Sequence, residues 1–277
     1  MTIAVTGATG QLGTLVLAAL DARGAEAVAL ARAPSRIEGR PARVFDYDRP
    51  ETLAPALDGI DTLMLISGSD VGRRGPQHRA VIDAARAAGV GHVVYTSVLG
   101  ADESKLFVAP EHRETEAALK DSGLPHTLLR NGWYLENYDG SIEGALATGT
   151  LIGAAGEGRI DAATRADYAE AAARVLTDPS LRGRTWEMAG HPGFTMAELA
   201  KAISASTGRA VPYRDLPVED YAAVLRDAGL PDAFAVALAE TDALAAKGAL
   251  ATDGDDLATL LGRAPTSMRD WVAARLG

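Results

Sequence analysis

The chain has 277 residues and a formal net charge of −10, and it contains no cysteine. The length allows an ample hydrophobic core, and the acidic charge argues against nucleic acid as the main partner. Without cysteine, disulfides, thiolate metal sites and a cysteine nucleophile are excluded. No apolar run reaches the roughly 18 residues that span a membrane, and the first strand follows Met1 directly. We therefore expect no membrane partner, no signal peptide and a cytoplasmic location.

The first predicted elements are a strand, a glycine-rich turn and a helix. Residues 3–5 form a short apolar run, glycines stand at positions 7, 10 and 13, and a helical apolar pattern begins at Leu12. The first glycine permits a sharp turn, the second lets a pyrophosphate approach the backbone, and the third lets the helix pack close to the sheet. The pattern indicates a dinucleotide site. A tight turn without a ligand is the alternative interpretation.

Strands and helices then alternate along the first half of the chain. Further strands are predicted at residues 27–31, 42–45, 62–66, 93–96 and 127–129, with helices at 53–57, 76–88 and 111–122. This alternation is typical of βαβ units with right-handed crossovers. We predict an α/β fold, a Rossmann-type doubly wound parallel sheet, with a dinucleotide-binding domain over residues 1–130.

The pattern changes after Arg130. Residues 131–158 are rich in glycine and show no clear βαβ unit. We expect residues 131–277 to form a smaller, mostly helical lobe that binds the substrate, with part of 160–190 returning to the main sheet. Helices are predicted at 167–176, 195–204, 218–228 and 232–244, with a last one near residue 267.

A basic stretch follows the second predicted strand. Residues 32–43 contain four arginines, starting with Arg32, and only one acidic residue. An arginine at the end of this strand suits the 2′-phosphate of NADP, whereas an acidic residue would suit the ribose hydroxyl of NAD. The sequence therefore predicts a preference for NADPH. A solvated surface loop is the alternative.

Polar residues also follow the other strands, at the edge where ligands bind in an open α/β sheet. Asp46 follows the third strand, where an adenine would lie, and Ser67 follows the fourth. Thr96 and Ser97 end the fifth strand, so their hydroxyls are candidates for contacting a nicotinamide amide or a substrate carbonyl. Roles in helix caps or turns are equally consistent with these positions.

Two further groups are candidates for chemistry. His112 and Glu116 are four residues apart on one predicted helix, so His112 is either a proton donor or carbonyl-orienting group, or part of a surface pair. Residues 131–138 are the densest aromatic cluster, and Trp133 and Tyr134 either wall a pocket for a flat ring or form an interlobe core.

Two sequence patterns are absent, and their absence limits the reactions that we expect. No tyrosine is followed four residues later by lysine, so the alcohol–ketone chemistry of ordinary short-chain dehydrogenases is not expected. No residue cluster shows metal-ligand spacing, and we predict no metal site.

Taken together, these motifs resemble those of the NmrA-like atypical short-chain dehydrogenases/reductases, which include bacterial NAD(P)H:quinone oxidoreductases. The resemblance runs nearly end to end and is most specific over residues 127–138. It rests on residues 6–13, 76–79, 95–97, 111–116, 127–138, 152–156 and 163–168.

The resemblance implies residue roles. It places NADPH along residues 7–12 and at Arg32, with the nicotinamide near residues 131–134 and a quinone in the cleft between the lobes. Together with the strand-end positions, it gives these candidate cofactor residues: Gly7, Thr9, Gly10, Gln11, Leu12, Arg32, Arg36, Asp46, Ser67, Thr96, Asn131, Trp133 and Tyr134. The candidate substrate residues are Ser97, His112, Trp133 and Asn137, and the catalytic candidates are His112 and Tyr134.

Two functions follow as expectations. One is an NADPH-dependent quinone reductase, whose partner is a small-molecule quinone and which is compatible with a homodimer. The other is a redox sensor that binds NADP(H) without turnover, because the family also contains such proteins. Quinone reduction needs no tyrosine acid of the ordinary kind, since the hydroquinone anion is far less basic than an alkoxide. Alignment of the two rings is then the main task of the protein.

Overall fold

The structure, a computed structural model, describes residues 1–277. The first half of the chain builds most of one sheet. Its elements in chain order are β1 (Ile3–Val5), α1 (Gln11–Ala22), β2 (Ala27–Ala31), β3 (Ala42–Val44), α2 (Leu53–Ala56), β4 (Thr62–Leu65), α3 (Arg74–Ala87), β5 (His92–Val98), α4 (Ala109–Ser122) and β6 (His126–Asn131).

The second half is mostly helical. Its elements are α5 (Asp139–Thr148), β7 (Leu151–Gly153), α6 (Arg165–Thr177), β8 (Thr185–Met188), α7 (Met196–Thr207), β9 (Tyr213–Asp215), α8 (Val218–Asp227), α9 (Asp232–Ala245), α10 (Asp256–Leu261) and α11 (Met268–Leu276). None of these helices is long and apolar enough to cross a membrane. The sequence patterns did not predict α5, β7, β9 or α10. The two strands have 3 residues each, and the helices have 10 and 6.

Seven strands form one parallel sheet in the order β3-β2-β1-β4-β5-β6-β8. The chain leaves β1 toward β2 and later returns to the other side of β1 as β4, so the strand order reverses there. In such sheets a crevice opens at the carboxyl ends of the strands around the reversal. This topology confirms the predicted Rossmann-type doubly wound α/β fold.

The sheet is covered on both faces, as a parallel sheet requires. Helices α1 and α6 cover one face, where Val16, Leu20 and Val175 are fully buried in the same core. Helices α3 and α4 cover the other face, over Leu63 and Tyr95. The segment 160–190 contributes both α6 and the edge strand β8. A separate core, formed largely by the second half of the chain, lies around α5, α7 and α11.

A buried arginine ties the end of β6 to its neighbours. The side chain of Arg130 is 8% exposed and pairs with Glu116 of α4 at 2.6 Å and with Asp102 and Glu187 at 2.8 Å each. A second bond, from Nε to Oε1 of Glu116, makes that pair bidentate. These bonds, first of all those to Glu116, raise the pKa of Arg130. The network fixes the strand end from which Asn131 follows.

Three buried histidines predict a loss of stability in acid. Burial lowers the pKa of His78 and His92 from 6.5 to about 4, and that of His112 to about 3. Between pH 6.5 and about 4 the unfolded chain binds protons that the folded chain does not, so stability falls as the pH falls through this window. Each histidine contributes a slope of up to about 1.4 kcal/mol per pH unit.

Urea unfolding at pH 7.5, 6.5 and 5.5 measures this effect. We expect the free energy of unfolding to change little between the first two values and to decline below 6.5. The variant His92→Gln keeps a donor for Thr127, to which His92 is bonded at 2.8 Å, and should show a shallower decline. A free energy that stays constant down to pH 5.5 would contradict the prediction.

Candidate cofactor and substrate site

The glycine turn after β1 has the backbone geometry that a dinucleotide turn requires. Gly7 has a φ of +58°, which favours glycine. A Cβ at Gly13 would lie 2.1 Å from the carbonyl oxygen of Gly7. The third glycine therefore lets α1 pack closely, although its contact is with the turn and not with the sheet. Thr9, Gly10 and Gln11 are exposed on the outer side of this turn.

No side chain of the protein caps the N-terminus of α1. Its N-cap residue is Gly10, and the first turn contains no acidic residue. By contrast, the side chains of Thr164, Thr195 and Ser267 cap α6, α7 and α11. The first amides of an α-helix carry partial positive charge and point outward. The bare N-terminus of α1 therefore suits a phosphate anion, with Leu12 contributing its backbone.

Only two arginines of the basic stretch are available to a ligand. Arg40 is paired with Asp21, and Arg43 donates to the carbonyl oxygens of residues 56 and 58 at 2.9 and 2.7 Å. Arg32 and Arg36 are exposed, and neither side chain forms a hydrogen bond or an ion pair within the protein. Arg32 directly follows β2, next to the glycine turn. The expected 2′-phosphate contact thus rests on these two side chains.

Reversing the charge at Arg32 tests this assignment. We expect Arg32→Asp to weaken NADPH binding by about tenfold to 100-fold, because a charge-assisted bond is replaced by repulsion. NADH lacks the 2′-phosphate, so its affinity should change less. The variant Arg40→Gln, which breaks only the pair with Asp21, is the control. Fluorescence titration of the unmodified protein and both variants with each cofactor measures these affinities, and equal losses for NADPH and NADH in Arg32→Asp would contradict the assignment.

The loops after β3 and β4 are held together by hydrogen bonds at the same edge. The Tyr47 hydroxyl donates to the carbonyl oxygen of Ile66 at 2.8 Å and lies 2.7 Å from Thr6 Oγ1. The backbone of Ser67 donates to Thr96 Oγ1 at 2.8 Å. Thr96 is 4% exposed, so its hydroxyl positions the Ser67 loop. No local sequence pattern indicates this role for Tyr47, because its partners come from distant parts of the chain.

Asp46 and Ser97 also make bonds within the protein. Asp46 Oδ1 accepts from the backbone amide of Asp48 at 3.1 Å, which closes a turn. Ser97 is 5% exposed and donates to Glu116, the partner of Arg130. This position favours a structural role for Ser97 over the predicted substrate contact.

His112 and Glu116 do not form a surface pair. His112 is buried and the Glu116 side chain is 10% exposed. They have different partners: His112 Nδ1 lies 2.8 Å from the hydroxyl of Tyr95, whereas Glu116 binds Arg130. Burial, with smaller contributions from Arg74 and His78, lowers the pKa of His112 to about 3. The imidazole is therefore neutral near neutral pH. The geometry favours a role as a neutral hydrogen-bonding group over that of a charged proton donor.

Asn131 and Tyr134 form a polar pair beyond the end of β6. Asn131 Nδ2 donates to the Tyr134 hydroxyl at 3.2 Å, while the buried Oδ1 of Asn131 has no hydrogen-bond partner in the protein. Burial raises the pKa of Tyr134, and the bond from Asn131 offsets part of that shift. The phenol therefore keeps its proton, and Asn131 retains one free acceptor. A carboxamide N–H of a nicotinamide matches that acceptor in chemistry.

Backbone bonds hold the aromatic segment in place. Ala163 donates to the carbonyl oxygen of Trp133 at 3.1 Å and accepts from Leu135 at 2.9 Å. Trp133 is half-buried and packs against the second core. It therefore joins this core, as one interpretation predicted, and its role as the wall of a pocket stays a prediction.

Asn137 lies farther along the same segment and is exposed. Its Oδ1 accepts from Arg165 at 3.0 Å, and the guanidinium of Arg165 lies 4.6 Å from the centre of the Tyr134 ring. Asn137 thus helps to place the arginine that stacks on Tyr134. No group of three or more histidine, aspartate or glutamate side chains is arranged to hold a metal ion.

The chain matches the NAD(P)H-binding family over residues 7–179. It is 46% identical to Quinone oxidoreductase 2 of Escherichia coli K12, over 98% of this chain and 97% of that protein. An NmrA-like family domain-containing oxidoreductase of Aspergillus flavus is 34% identical over 97% of this chain and 92% of its own length.

A solved structure is similar over the whole chain. The crystal structure of an NADPH-dependent quinone oxidoreductase from Escherichia coli, complexed with NADPH, superposes with a TM-score of 0.95. It covers 99% of this chain and 100% of its own, at 46% sequence identity. These similarities confirm the family that the sequence motifs predicted. The chain belongs to the NAD(P)H-binding, NmrA-like atypical short-chain dehydrogenases/reductases, and among them to the bacterial quinone oxidoreductases of the type-2 kind.

Proposed function

We propose that the protein reduces quinones with NADPH in the crevice at the carboxyl edge of the main sheet. The observation that carries the proposal is the free Asn131 acceptor and the protonated Tyr134 hydroxyl, on the same sheet edge as the bare N-terminus of α1. The end of this edge at α1 suits phosphate groups. The end at Asn131 and Tyr134 suits a flat ring that carries polar groups on its edge. Its close relative from Escherichia coli is an NADPH-dependent quinone oxidoreductase.

The residues present fit the cofactor. The amides that begin α1 would hold the pyrophosphate, Arg32 and Arg36 would hold the 2′-phosphate, and Asn131 Oδ1 would accept from the carboxamide of the nicotinamide. Residues 1–130 thus supply the dinucleotide domain in this proposal. Residues 131–277 supply the second wall, so that the quinone lies between the two lobes beside Trp133.

The side chains have two tasks in this reaction: they position the two rings, and they supply a proton to the reduced quinone. When bound, NADPH supplies the hydride that reduces the quinone. Trp133 and Tyr134 bound the ring site, and the backbone bonds from Ala163 keep both residues in position. The Tyr134 hydroxyl accepts from Asn131 and so directs its own proton elsewhere, toward an oxygen of the quinone. Solvent restores that proton after each turnover.

Quinone-dependent oxidation of NADPH distinguishes this function from a sensor that only binds the cofactor. The protein is mixed with NADPH and a small benzoquinone, and the absorbance of the reduced nicotinamide is followed. We expect loss of that absorbance over many turnovers, and a smaller kcat for Tyr134→Phe with unchanged NADPH affinity. Tight NADPH binding without turnover across several quinones would favour the sensor.

A matched substitution controls for general effects of removing a phenol. Tyr138 is 5% exposed, and its hydroxyl has no hydrogen-bond partner in the protein. The variant Tyr138→Phe should therefore keep the turnover rate of the unmodified protein. If both substitutions reduce kcat equally, Tyr134 has no specific part in the reaction.

A further inference from the structure

Besides Arg32 and Arg36, a further arginine lies at this edge of the sheet, and part of its guanidinium group has no hydrogen-bond partner. Arg74 is the first residue of α3 and is only 9% exposed. Its Nε and Nη1 atoms are buried and have no hydrogen-bond partner in the protein. An arginine side chain cannot shed its proton, and a buried charge without a partner is costly. Such a group in a crevice indicates a site for a ligand oxygen.

The backbone of Arg74 is firmly placed even though its side chain is free. Glu111 Oε1, in the first turn of α4, accepts from the backbone amides of Gly72 and Arg74 at 3.0 Å each. The Glu111 carboxylate is near enough to favour the charged guanidinium, but the two side chains form no ion pair or hydrogen bond. The loop before α3 is therefore fixed, and the charge of Arg74 is not neutralised by direct contact.

Arg74 lies beside the half of the sheet formed by β4, β5 and β6. It begins α3, and His78, one turn later on that helix, accepts from a backbone amide of the loop after β4 at 3.0 Å. The His78 ring packs edge-on against Tyr95 of β5, whose hydroxyl lies 2.8 Å from His112 of α4. In keeping with this position, the charge of Arg74 disfavours protonation of both histidines and favours the ionised form of Tyr134, which follows β6. In the proposed function the phosphates are held on the other half of the sheet, at the start of α1 and after β2, so Arg74 is not needed for them.

We propose that Arg74 binds the quinone oxygen on which negative charge develops during reduction. The inference rests on the proposed function and adds to it the residue that recognises the substrate carbonyl. A quinone that gains a hydride becomes a hydroquinone monoanion, and one proton, from Tyr134 or solvent, completes the hydroquinone while NADP⁺ is released. Arg74 donates N–H bonds to the oxygen throughout, and they strengthen as its charge grows.

Kinetics and ligand binding test this role together. Removing one donor to a developing oxyanion commonly costs about 100-fold to 1,000-fold in rate, and we expect a loss of that order in kcat/KM for benzoquinone in Arg74→Gln. NADPH affinity, measured by fluorescence, should be unchanged. The control is Arg73→Gln, because the neighbouring Arg73 is 61% exposed and pairs with Asp48 and Asp70 on the surface. That variant should keep full activity.

A second measurement does not depend on turnover. The probe is 4-nitrophenol, a one-ring phenol whose anion absorbs visible light, added to the protein with NADP⁺. We expect the unmodified protein and Arg73→Gln to bind the phenolate, and Arg74→Gln to bind it at least about tenfold more weakly. Phenolate binding that is the same in Arg74→Gln would overturn the proposal. So would a loss of NADPH affinity that accounts for the whole loss of activity.

The two measurements separate the failure of this inference from that of the proposed function. If the unmodified protein oxidises no NADPH with any quinone, the quinone reductase assignment fails. The phenolate titration still reports whether Arg74 holds an aromatic oxyanion. If turnover is rapid and Arg74→Gln matches the unmodified protein in kcat/KM, the reductase stands and the role of Arg74 is refuted.

Discussion

Replacing Gly10 by valine is expected to weaken NADPH binding by at least about 100-fold while the fold survives. Gly10 has a φ of −83° and a ψ of 167°, a conformation that valine adopts readily. A Cβ at this position would lie 3.1 Å from the carbonyl oxygen of Gly7, which is tight but not prohibitive. The branched side chain would instead occupy the space above the first amides of α1, where a phosphate must approach.

A second glycine-to-valine variant controls for the general cost of the substitution. Gly144 lies exposed within α5, and a Cβ there would meet no atom within 4 Å. Gly144→Val should leave both NADPH affinity and thermal stability nearly unchanged. Circular dichroism and NADPH titration of both variants give the comparison. Normal NADPH binding by a folded Gly10→Val protein would show that the glycine turn is not the phosphate site.

Removing Arg130 is expected to cause the largest loss of stability. In Arg130→Met the carboxylate of Glu116, whose side chain is 10% exposed, loses its bidentate partner. Breaking a buried pair by deleting one partner typically costs about 3–5 kcal/mol, because the remaining charge stays buried. The change also frees the end of β6, so quinone turnover should fall even at temperatures where the variant is folded.

Two comparisons isolate the buried charge as the cause. Arg49 is 60% exposed and pairs with Glu51, so Arg49→Met should cost less than about 1 kcal/mol. Adding Glu116→Gln to Arg130→Met removes the unpaired carboxylate charge and should recover part of the lost stability. Urea unfolding compares these three variants with the unmodified protein. Equal destabilisation by Arg130→Met and Arg49→Met would contradict this explanation.

Local sequence patterns were sufficient to predict the glycine turn and the parallel sheet that form the cofactor site. The glycine spacing predicted the turn, and the positive φ of Gly7 and the close approach at Gly13 have the physical causes expected. Alternating strands and helices predicted the parallel sheet. In both cases the signal comes from residues close together in the sequence, which is where periodicity and turn chemistry are informative.

The partners of individual charges could not be predicted, because they come from distant parts of the chain. Arg73 and Arg74 are adjacent and chemically identical, yet one is a surface residue in two ion pairs and the other is buried with a free guanidinium. His112 and Glu116 share a helix but face Tyr95 and Arg130. The packing of α3 and α4 against the sheet decides these differences, and no local pattern records it.

Deuterated NADPH tests most directly whether the hydride passes from the nicotinamide to the quinone within the crevice. A single turnover of the protein with benzoquinone is timed with NADPH that carries deuterium on one or the other face of the nicotinamide C4. Because one fixed crevice aligns the two rings, deuterium on one face should slow quinone reduction severalfold and deuterium on the other face should have almost no effect. Equal rates with all three forms of NADPH would contradict transfer between aligned rings at this site.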